Sequence, residues 1–303
     1  MRSIRALNLP GLAWRYSQDI EAPAWLFLDI ADMTDSPLPV LFVSHGSPMF
    51  ALDPGQTGPA LQRMGERLRE RGDLRAVLVL SPHWMSRGIE VMTNPQPATW
   101  HDFGGFPEPL YRLQYPAPGA PELAQQVLAL LQAAGLPAQA DPERPFDHGA
   151  WVPLRFLLPA ADLPVLQLSL PARMSPRELY ALGQALAGLR EQGVLILATG
   201  SMTHNLREFM SGRPEQDAPA APYVQEFARW VEATLLAQDR ERLFDYRRQA
   251  PHAVRAHPTD EHYLPLYFAL GAAGWGQPGA AEPEYFNREV MYSYLAMDAI
   301  AFH

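Results

Sequence analysis

The sequence predicts an α/β fold: a single domain with a mostly parallel central sheet flanked by helices, and an active site at the C-terminal edge of the strands. Two observations carry this expectation. Short runs of Val, Ile and Leu without polar alternation recur along the chain, as strands buried on both faces require. Helical patterns with clear start and stop residues lie between them, and strands alternating with helices specify a largely parallel sheet. Ligands of such sheets sit beyond the carboxyl ends of the strands.

Residues 1–37 lack periodicity and read as an N-terminal extension; 38–303 form the domain. Its first strand is expected at 39–44, followed by a helix over "GPALQRMGERLRERG" (58–72). Strands follow at 75–81 and 89–93, then a helix over "APELAQQVLALLQAAG" (120–135) that stops on a glycine. A strand at 164–170 leads to "SPRELYALGQALAGLREQG" (175–193), a helix opened by a serine cap with proline in its first turn. A strand at 193–199 comes next, then helices at 221–237 and 261–273, and "EVMYSYLAMDAI" (289–300) reads as a last strand. No internal repeat or linker divides the domain.

Composition excludes several classes of function. The chain has 303 residues, 48% of them hydrophobic, so a substantial core is available. A net charge of −9 without any basic run argues against nucleic acid as a partner. All the positive side-chain charge is arginine, so no Schiff-base or phosphate-loop lysine exists. Cysteine is absent, which removes disulfides, thiolate nucleophiles and cysteine-ligated metals. A metal would therefore rest on histidine, carboxylate or water. No apolar stretch approaches the roughly 20 residues of a membrane helix, and charges throughout residues 1–38 break any signal-peptide core. The expectation is a soluble cytoplasmic protein acting on a small molecule, with no membrane partner. Thirty-one prolines scattered among apolar segments point to fixed loops.

Nine histidines are the residues that carry chemistry. His45 in "SHGSP", His83 in "SPHW" and His204 in "GSMTHNL" lie just past the ends of expected strands. If those strands are parallel neighbours, the three imidazoles converge on one edge of the sheet. Gly46 permits a tight turn there, and Trp84 is placed to wall a pocket. His148 in "FDHGAW" sits between aromatic residues with an acid beside it, and Asn205 is placed to orient a substrate. His262 is expected to open a helix, with Thr259 or Asp260 as cap and Glu261 in the first turn. His257 reads equally as a loop residue or a ligand, while His252 and His303 read as surface residues. Rival motifs are weak: the chain has no G-x-S-x-G elbow, no HExxH and no phosphate loop. "DFGGFPEPLY" (102–111) reads as a substrate-facing loop with His101 and Asp102 at its start.

Seven stretches occur in order: "SHGSPM" (44–49), "SPHW" (81–84), "WHDFGGFPEPLY" (100–111), "YPAPGAPELA" (115–124), "FDHGAW" (146–151), "THNLR" (203–207) and "HPTDEHYLPLYFALGA" (257–272). Together they resemble the DOPA 4,5-dioxygenase group of class III extradiol ring-cleavage dioxygenases, related to the catalytic subunit of protocatechuate 4,5-dioxygenase. The resemblance covers roughly residues 38–300. It implies an extradiol dioxygenase catalytic domain with a non-haem metal, Fe(II) in the active form and zinc often in its place. It further implies His45, His83 and His262 as metal ligands, where the protocatechuate enzyme has a glutamate at the third position; Glu261 is the rival ligand next door. His204 matches the acid–base histidine and a possible fourth ligand, His148 a second active-site histidine, and His101 a substrate-side position. Asp102 and Asp147 are candidate partners of the imidazoles. The implied reaction inserts O2 beside the vicinal diol of a DOPA-like catechol and gives a ring-opened semialdehyde. A carboxylate on such a substrate would need a local arginine, for which Arg207 is the candidate. The rivals are a zinc-dependent hydrolase on the same ligands and a non-enzymatic scaffold of the same fold.

Overall fold

The structure, a computed structural model, describes residues 36–303, so the expected extension 1–37 lies outside the described residues apart from its last two. From the first strand onward the order is β1 (Val40–Ser44), α1 (Thr57–Glu70), β2 (Ala76–Ser86), β3 (Ile89–Met92), α2 (Glu108–Tyr111), α3 (Pro121–Ala133), β4 (Ala138–Asp141), α4 (His148–Leu157), β5 (Val165–Pro171), α5 (Pro176–Leu186) and β6 (Val194–Gly200). A mostly helical stretch follows, α6 (Leu206–Gly212), α7 (Pro222–Leu236), α8 (Arg240–Phe244), α9 (Tyr246–Gln249), α10 (Ala253–Ala256) and α11 (Pro265–Ala273). The chain returns to the sheet through β7 (Glu284–Asn287), the short β8 (Val290–Met291) and β9 (Leu295–Ala296), and β10 (Ala299–Phe302).

An eight-stranded sheet runs in the order β4-β3-β5-β2-β6-β1-β10-β7. Its four central strands, β5, β2, β6 and β1, are parallel, and every residue of β1, β5 and β6 is buried. This is why β1 and β6 read as nearly unbroken apolar runs, while β5 is buried throughout although it carries Gln167 and Ser169. Antiparallel strands flank them, β3 against β5 on one side and β10 against β1 on the other. The sheet is covered by helices, among them α1 packed with α4 and α5 packed with α11. Ser175 and Glu178 form a reciprocal capping box on α5, with Pro176 in its first turn. No helix among the described residues is long and apolar enough to cross a membrane.

Several expectations need correction. The helix expected to run to 193 ends at Leu186 and continues as a 3-10 turn to Gln192. The strand expected at 289–300 is broken, because Tyr292 and Ser293 turn in the left-handed region and separate β8 from β9. Before α11, Glu261–Leu264 forms a turn in which Tyr263 and Leu264 both donate backbone N–H groups to the Asp260 carbonyl. The helix begins at Pro265 without a side-chain cap, so His262 sits in a turn, not in a helix. β2 does not end before His83. Leu80 pairs with Leu168 and Met85 with Leu170, so Ser81–Trp84 bulges out of the ladder. Pro82 has no N–H to give that ladder, which makes the bulge the cheapest course for the chain.

The buried Asp147 carboxylate ties this bulge to its surroundings. It caps α4 by accepting from the Ala150 N–H at 3.1 Å, and it accepts from Ser81 Oγ at 2.8 Å and Arg144 Nη2 at 2.9 Å. Gln167 Nε2, from β5, donates to it as well. A second fastening is His257, fully buried, whose Nε2 donates to the Met202 carbonyl at 2.9 Å and so ties the end of α10 to the turn after β6. Burial pushes its pKa down to about 3, partly offset by that hydrogen bond.

Asp147→Ala is expected to lower the unfolding free energy by about 3–5 kcal/mol, the cost of leaving the buried Arg144 guanidinium without its counter-charge. Urea denaturation measures it, and a loss below about 1 kcal/mol removes Asp147 as the hub. His257 makes the stability pH-dependent. The unfolded chain takes up the proton near pH 6.5 and the folded one does not, so stability falls as pH drops from about 6.5 towards 3. The contribution is up to about 1.4 kcal/mol per pH unit. His257→Gln keeps a donor for Met202 and is expected to flatten the acid limb of the urea midpoint against pH; an unchanged limb places the sensitivity elsewhere.

Candidate metal centre and its cavity

β1, β6 and β2 are neighbours in the sheet, and the imidazoles that follow or interrupt them converge as expected. His45 leaves β1 directly, its N–H donating to the Gly200 carbonyl at 2.9 Å. Gly46 then turns at φ +61°, where a side chain would be strained and would strike Met297. His83 is thrown forward by the bulge in β2. His262 is delivered by a close backbone approach: its carbonyl accepts the Ser201 N–H at 2.8 Å and lies 2.2 Å from where a Cβ on Gly200 would sit, so only glycine fits at the end of β6. His204 follows in the same turn, its N–H bound to the Ala256 carbonyl at 2.9 Å.

The ring nitrogens meet. His83 Nε2 lies 3.0 Å from His45 Nε2 and 3.3 Å from His262 Nε2. The ring of His204 stacks on His262, centroids 3.6 Å apart and 12° from parallel, and that of His148 lies 3.8 Å from His83. Ligating atoms of His45, His83 and His148 lie within 4.8 Å of one another, as do those of His204, Glu261 and His262. Burial drives the pKa values of His45, His83 and His262 well below the ordinary histidine range, and neighbouring imidazoles push the same way. His204 falls to about 4 by burial, with Glu261 opposing and His148 reinforcing. At neutral pH these four rings are uncharged and carry lone pairs.

Carboxylates set which nitrogens are free. Asp102 Oδ1 accepts from both the backbone N–H and Nδ1–H of His148 at 2.9 Å, and its Oδ2 lies 3.9 Å from His83 Nδ1. Burial alone would raise its pKa, but the hydrogen bonds and charge of His148 outweigh that and hold it below the carboxylate range. Glu261 Oε1 lies 3.0 Å from His262 Nδ1. A carboxylate at Nδ1 fixes the proton there and leaves the Nε2 lone pair exposed, as it does behind metal-bound histidines. Glu261 is thus placed to orient the His262 ring. Asp147, the other expected imidazole partner, makes no hydrogen bond to an imidazole among the described residues and is spent on the Ala150 N–H, Ser81, Gln167 and Arg144.

A metal fits these residues. His83 Nε2 approaches the Nε2 atoms of both His45 and His262, at 3.0 and 3.3 Å, and the buried Nδ1 of His45 has no hydrogen-bond partner among the described residues. Metal–imidazole bonds of about 2.0–2.1 Å at right or tetrahedral angles would separate neighbouring nitrogens by roughly 2.8–3.4 Å.

Beside the cluster lies a cavity of about 510 Å3, of the size that holds a small ligand. His83, His148, His204 and His262 line it on one side, Phe103–Phe106 on another, and Leu206, Phe209 and Met210 of α6 on a third. The loop at 102–111 therefore faces the cavity as expected, but His101 does not. Its Nε2 donates to the Leu113 carbonyl at 3.0 Å and its ring packs against Trp151, which supports the loop from behind. Arg207 is exposed and does not line the cavity. Asn205 caps α6, accepting from the Glu208 N–H, and donates to the Arg255 carbonyl. Trp84 is buried against Glu90 and Arg144, away from the cavity lining. His252 and His303 pair with surface glutamates. The α6 wall went unnoticed in the sequence, although its apolar 206, 209 and 210 have helical spacing.

Comparison with known proteins places the chain in a family. The family model described as "Catalytic LigB subunit of aromatic ring-opening dioxygenase" matches residues 39–302. A "4,5-DOPA dioxygenase extradiol" of Beta vulgaris is 40% identical over 235 residues, 77% of this chain and 86% of the relative. A protein of the same description from Escherichia coli (strain K12) is 37% identical over 250 residues, 81% of this chain and 89% of the relative. The crystal structure of an uncharacterised protein from Escherichia coli K12 superposes with a TM-score of 0.67 at 28% identity, covering 88% of this chain and 100% of that one. With a family match across nearly the whole described chain and relatives of this identity, the chain belongs to the LigB family of aromatic ring-opening dioxygenases and is an extradiol dioxygenase.

Proposed function

We propose that the cavity opens the ring of a catechol beside its vicinal diol, with O2 as co-substrate, at a non-haem Fe(II) centre held by His45, His83 and His262, giving a ring-opened semialdehyde. The approach of His83 Nε2 to His45 Nε2 at 3.0 Å and to His262 Nε2 at 3.3 Å, beside an aromatic-lined cavity, supports this reading above all. Three neutral ligands leave a bound Fe(II) with open positions for a catecholate and O2.

The chain's own residues do the rest. Phe103 and Phe106 give a ring an apolar wall, which orients it with few polar contacts. His204 enters the reaction uncharged and accepts a catechol proton; its buried site makes the protonated ring a ready acid that returns the proton during ring opening. His148, with Nδ1 held by Asp102, offers Nε2 to the cavity for a substrate oxygen. This oriented acid–base pair has no use in a scaffold, and an aromatic wall suits a catechol better than the polar substrates of a hydrolase. The relatives' names make DOPA one of the catechols to test.

His262→Ala is expected to lose most of its metal by elemental analysis, and Glu261→Gln to bind it about 10–100-fold more weakly. Full loss in a Glu261 variant with retention in His262→Ala would reverse the assignment. His204→Ala is expected to keep the metal and the fold while O2 uptake with a catechol, after Fe(II) loading, drops about 10²–10⁴-fold. Parent-like turnover would take His204 out of the reaction, and loss of metal would make it a ligand.

A further inference from the structure

Helix α6 is fastened at its ends and lightly held between them. Among the described residues no other helix or strand packs closely on it, and none of its own residues is buried. Its start is held by Asn205, which accepts the Glu208 N–H at 3.1 Å and donates to the Arg255 carbonyl at 2.7 Å. It stops at Arg213, a non-glycine residue in the left-handed region at φ +43°, followed by Pro214. Between the ends, the Phe209 ring meets Tyr292 edge-on at 5.4 Å, and Glu208 pairs with Arg255 at 2.7 and 3.1 Å.

The face that α6 turns to the cavity is apolar and uncovered. Leu206 and Met210 line the cavity yet remain 51% and 63% exposed, with Phe209 beside them. Another wall of the same cavity is the loop Phe103–Phe106, whose tip is Gly104 and Gly105, both exposed. Gly105 turns at φ +79°, and a Cβ on either glycine would meet nothing within 4 Å, so the tip has open space around it. Two apolar walls that lie open to water gain by approaching each other once something fills the space between. An aromatic ring, with apolar faces, fills it.

Successive helical residues are turned by about 100°, so Glu208 lies on the side of α6 away from Leu206, Phe209 and Met210. Motion of the helix towards the loop therefore draws Glu208 off Arg255. An ion pair as exposed as this one contributes little, which suits it to a weak catch.

We propose that α6 is a lid. When a catechol occupies the cavity, the helix swings on Asn205 and Arg213 towards the Phe103–Phe106 loop, and the Glu208–Arg255 pair is the catch that holds it open in the empty protein. Closure covers Leu206 and Met210 and shuts bulk water out from the imidazoles that line the cavity. The inference takes its ligand from the catechol-cleaving reading and adds a motion to it.

The chain has no cysteine, so Glu108→Cys beside the loop and Ser211→Cys on α6, both at exposed positions, take spin labels at those two places alone. Pulsed EPR reads the distance between the labels in the zinc-loaded protein, whose ion is diamagnetic, with and without 4-methylcatechol or DOPA at concentrations that calorimetry shows to saturate. Bound catechol is expected to shorten the distance by several ångströms and to narrow its spread. Glu208→Gln is expected to move the empty protein part-way to the short distance and to tighten 4-methylcatechol about two- to fivefold, the range an exposed ion pair spans. Leu206→Ser combined with Met210→Ser, at exposed positions where folding is least at risk, is expected to leave the distance long with catechol bound. An unchanged distance on binding overturns the lid, as does full closure in the doubly substituted variant. An empty Glu208→Gln protein that matches the parent overturns the catch. O2 uptake by the Fe(II)-loaded protein is scored separately. Closure without ring opening keeps the lid and sinks the reaction, ring opening without closure does the reverse, and binding of no catechol overturns both.

Discussion

One buried carboxylate sets the geometry on which the site depends. Asp147 takes hydrogen bonds from Ser81 in the bulge of β2, from Gln167 in β5, from Arg144 and from the first turn of α4. Each donor belongs to a different piece of chain, so the carboxylate fixes where α4 starts relative to the sheet. His83 and His148 ride on the two pieces so joined, the bulge and the helix start, and their rings lie 3.8 Å apart. Arg144 extends the hub outward, donating to the His83 carbonyl at 3.2 Å and lying between the rings of Trp84 and Trp100. A carboxylate bonded by four donors in a low-dielectric interior is stiffly held, because no donor can leave without stranding a partner.

Charge is the second constraint. His45, His83, His262 and His204 crowd into one place, where the protonation of any one opposes that of its neighbours and burial opposes all of them. The protein resolves the crowding by keeping the rings neutral and placing negative charge outside them, Asp102 behind His148 and Glu261 behind His262. The result is a donor-rich, uncharged pocket facing inward with its counter-charges turned away, the electrostatic arrangement that attracts a cation and repels an anion.

Much of this was readable from the residues. The central strands announced themselves because burial on both faces leaves no polar alternation, and His45 and His204 followed because they interrupt apolar runs. His83 was found in the right place for an incomplete reason, since the strand does not stop at Ser81 but bulges around Pro82 and resumes. That depends on register with β5, which no local pattern encodes. Thr259 or Asp260 reads as a cap with Glu261 in the first turn, which places His262 in a helix, whereas Asp260 contributes its carbonyl to a turn and Glu261 its carboxylate to the imidazole. The roles of the two aspartates divided in a way sequence could not give. Asp102 and Asp147 each stand near a histidine, yet one meets a ring and the other a helix end, a choice made by tertiary placement.

The last strand has a consequence for the order of events during synthesis. β10, residues 299–302, lies between β1 and β7, so the first central strand has its outer neighbour only when nearly the whole chain is present. Until then β1 offers an unpaired, mostly apolar edge, the kind of edge that pairs with other chains. The contact between residues 40 and 302 spans almost the full sequence and closes late. A nascent chain held on the ribosome, or one clipped by a few residues at that strand, would carry an open sheet beside an otherwise assembled site, and its fate would be decided by chaperones before chemistry became possible.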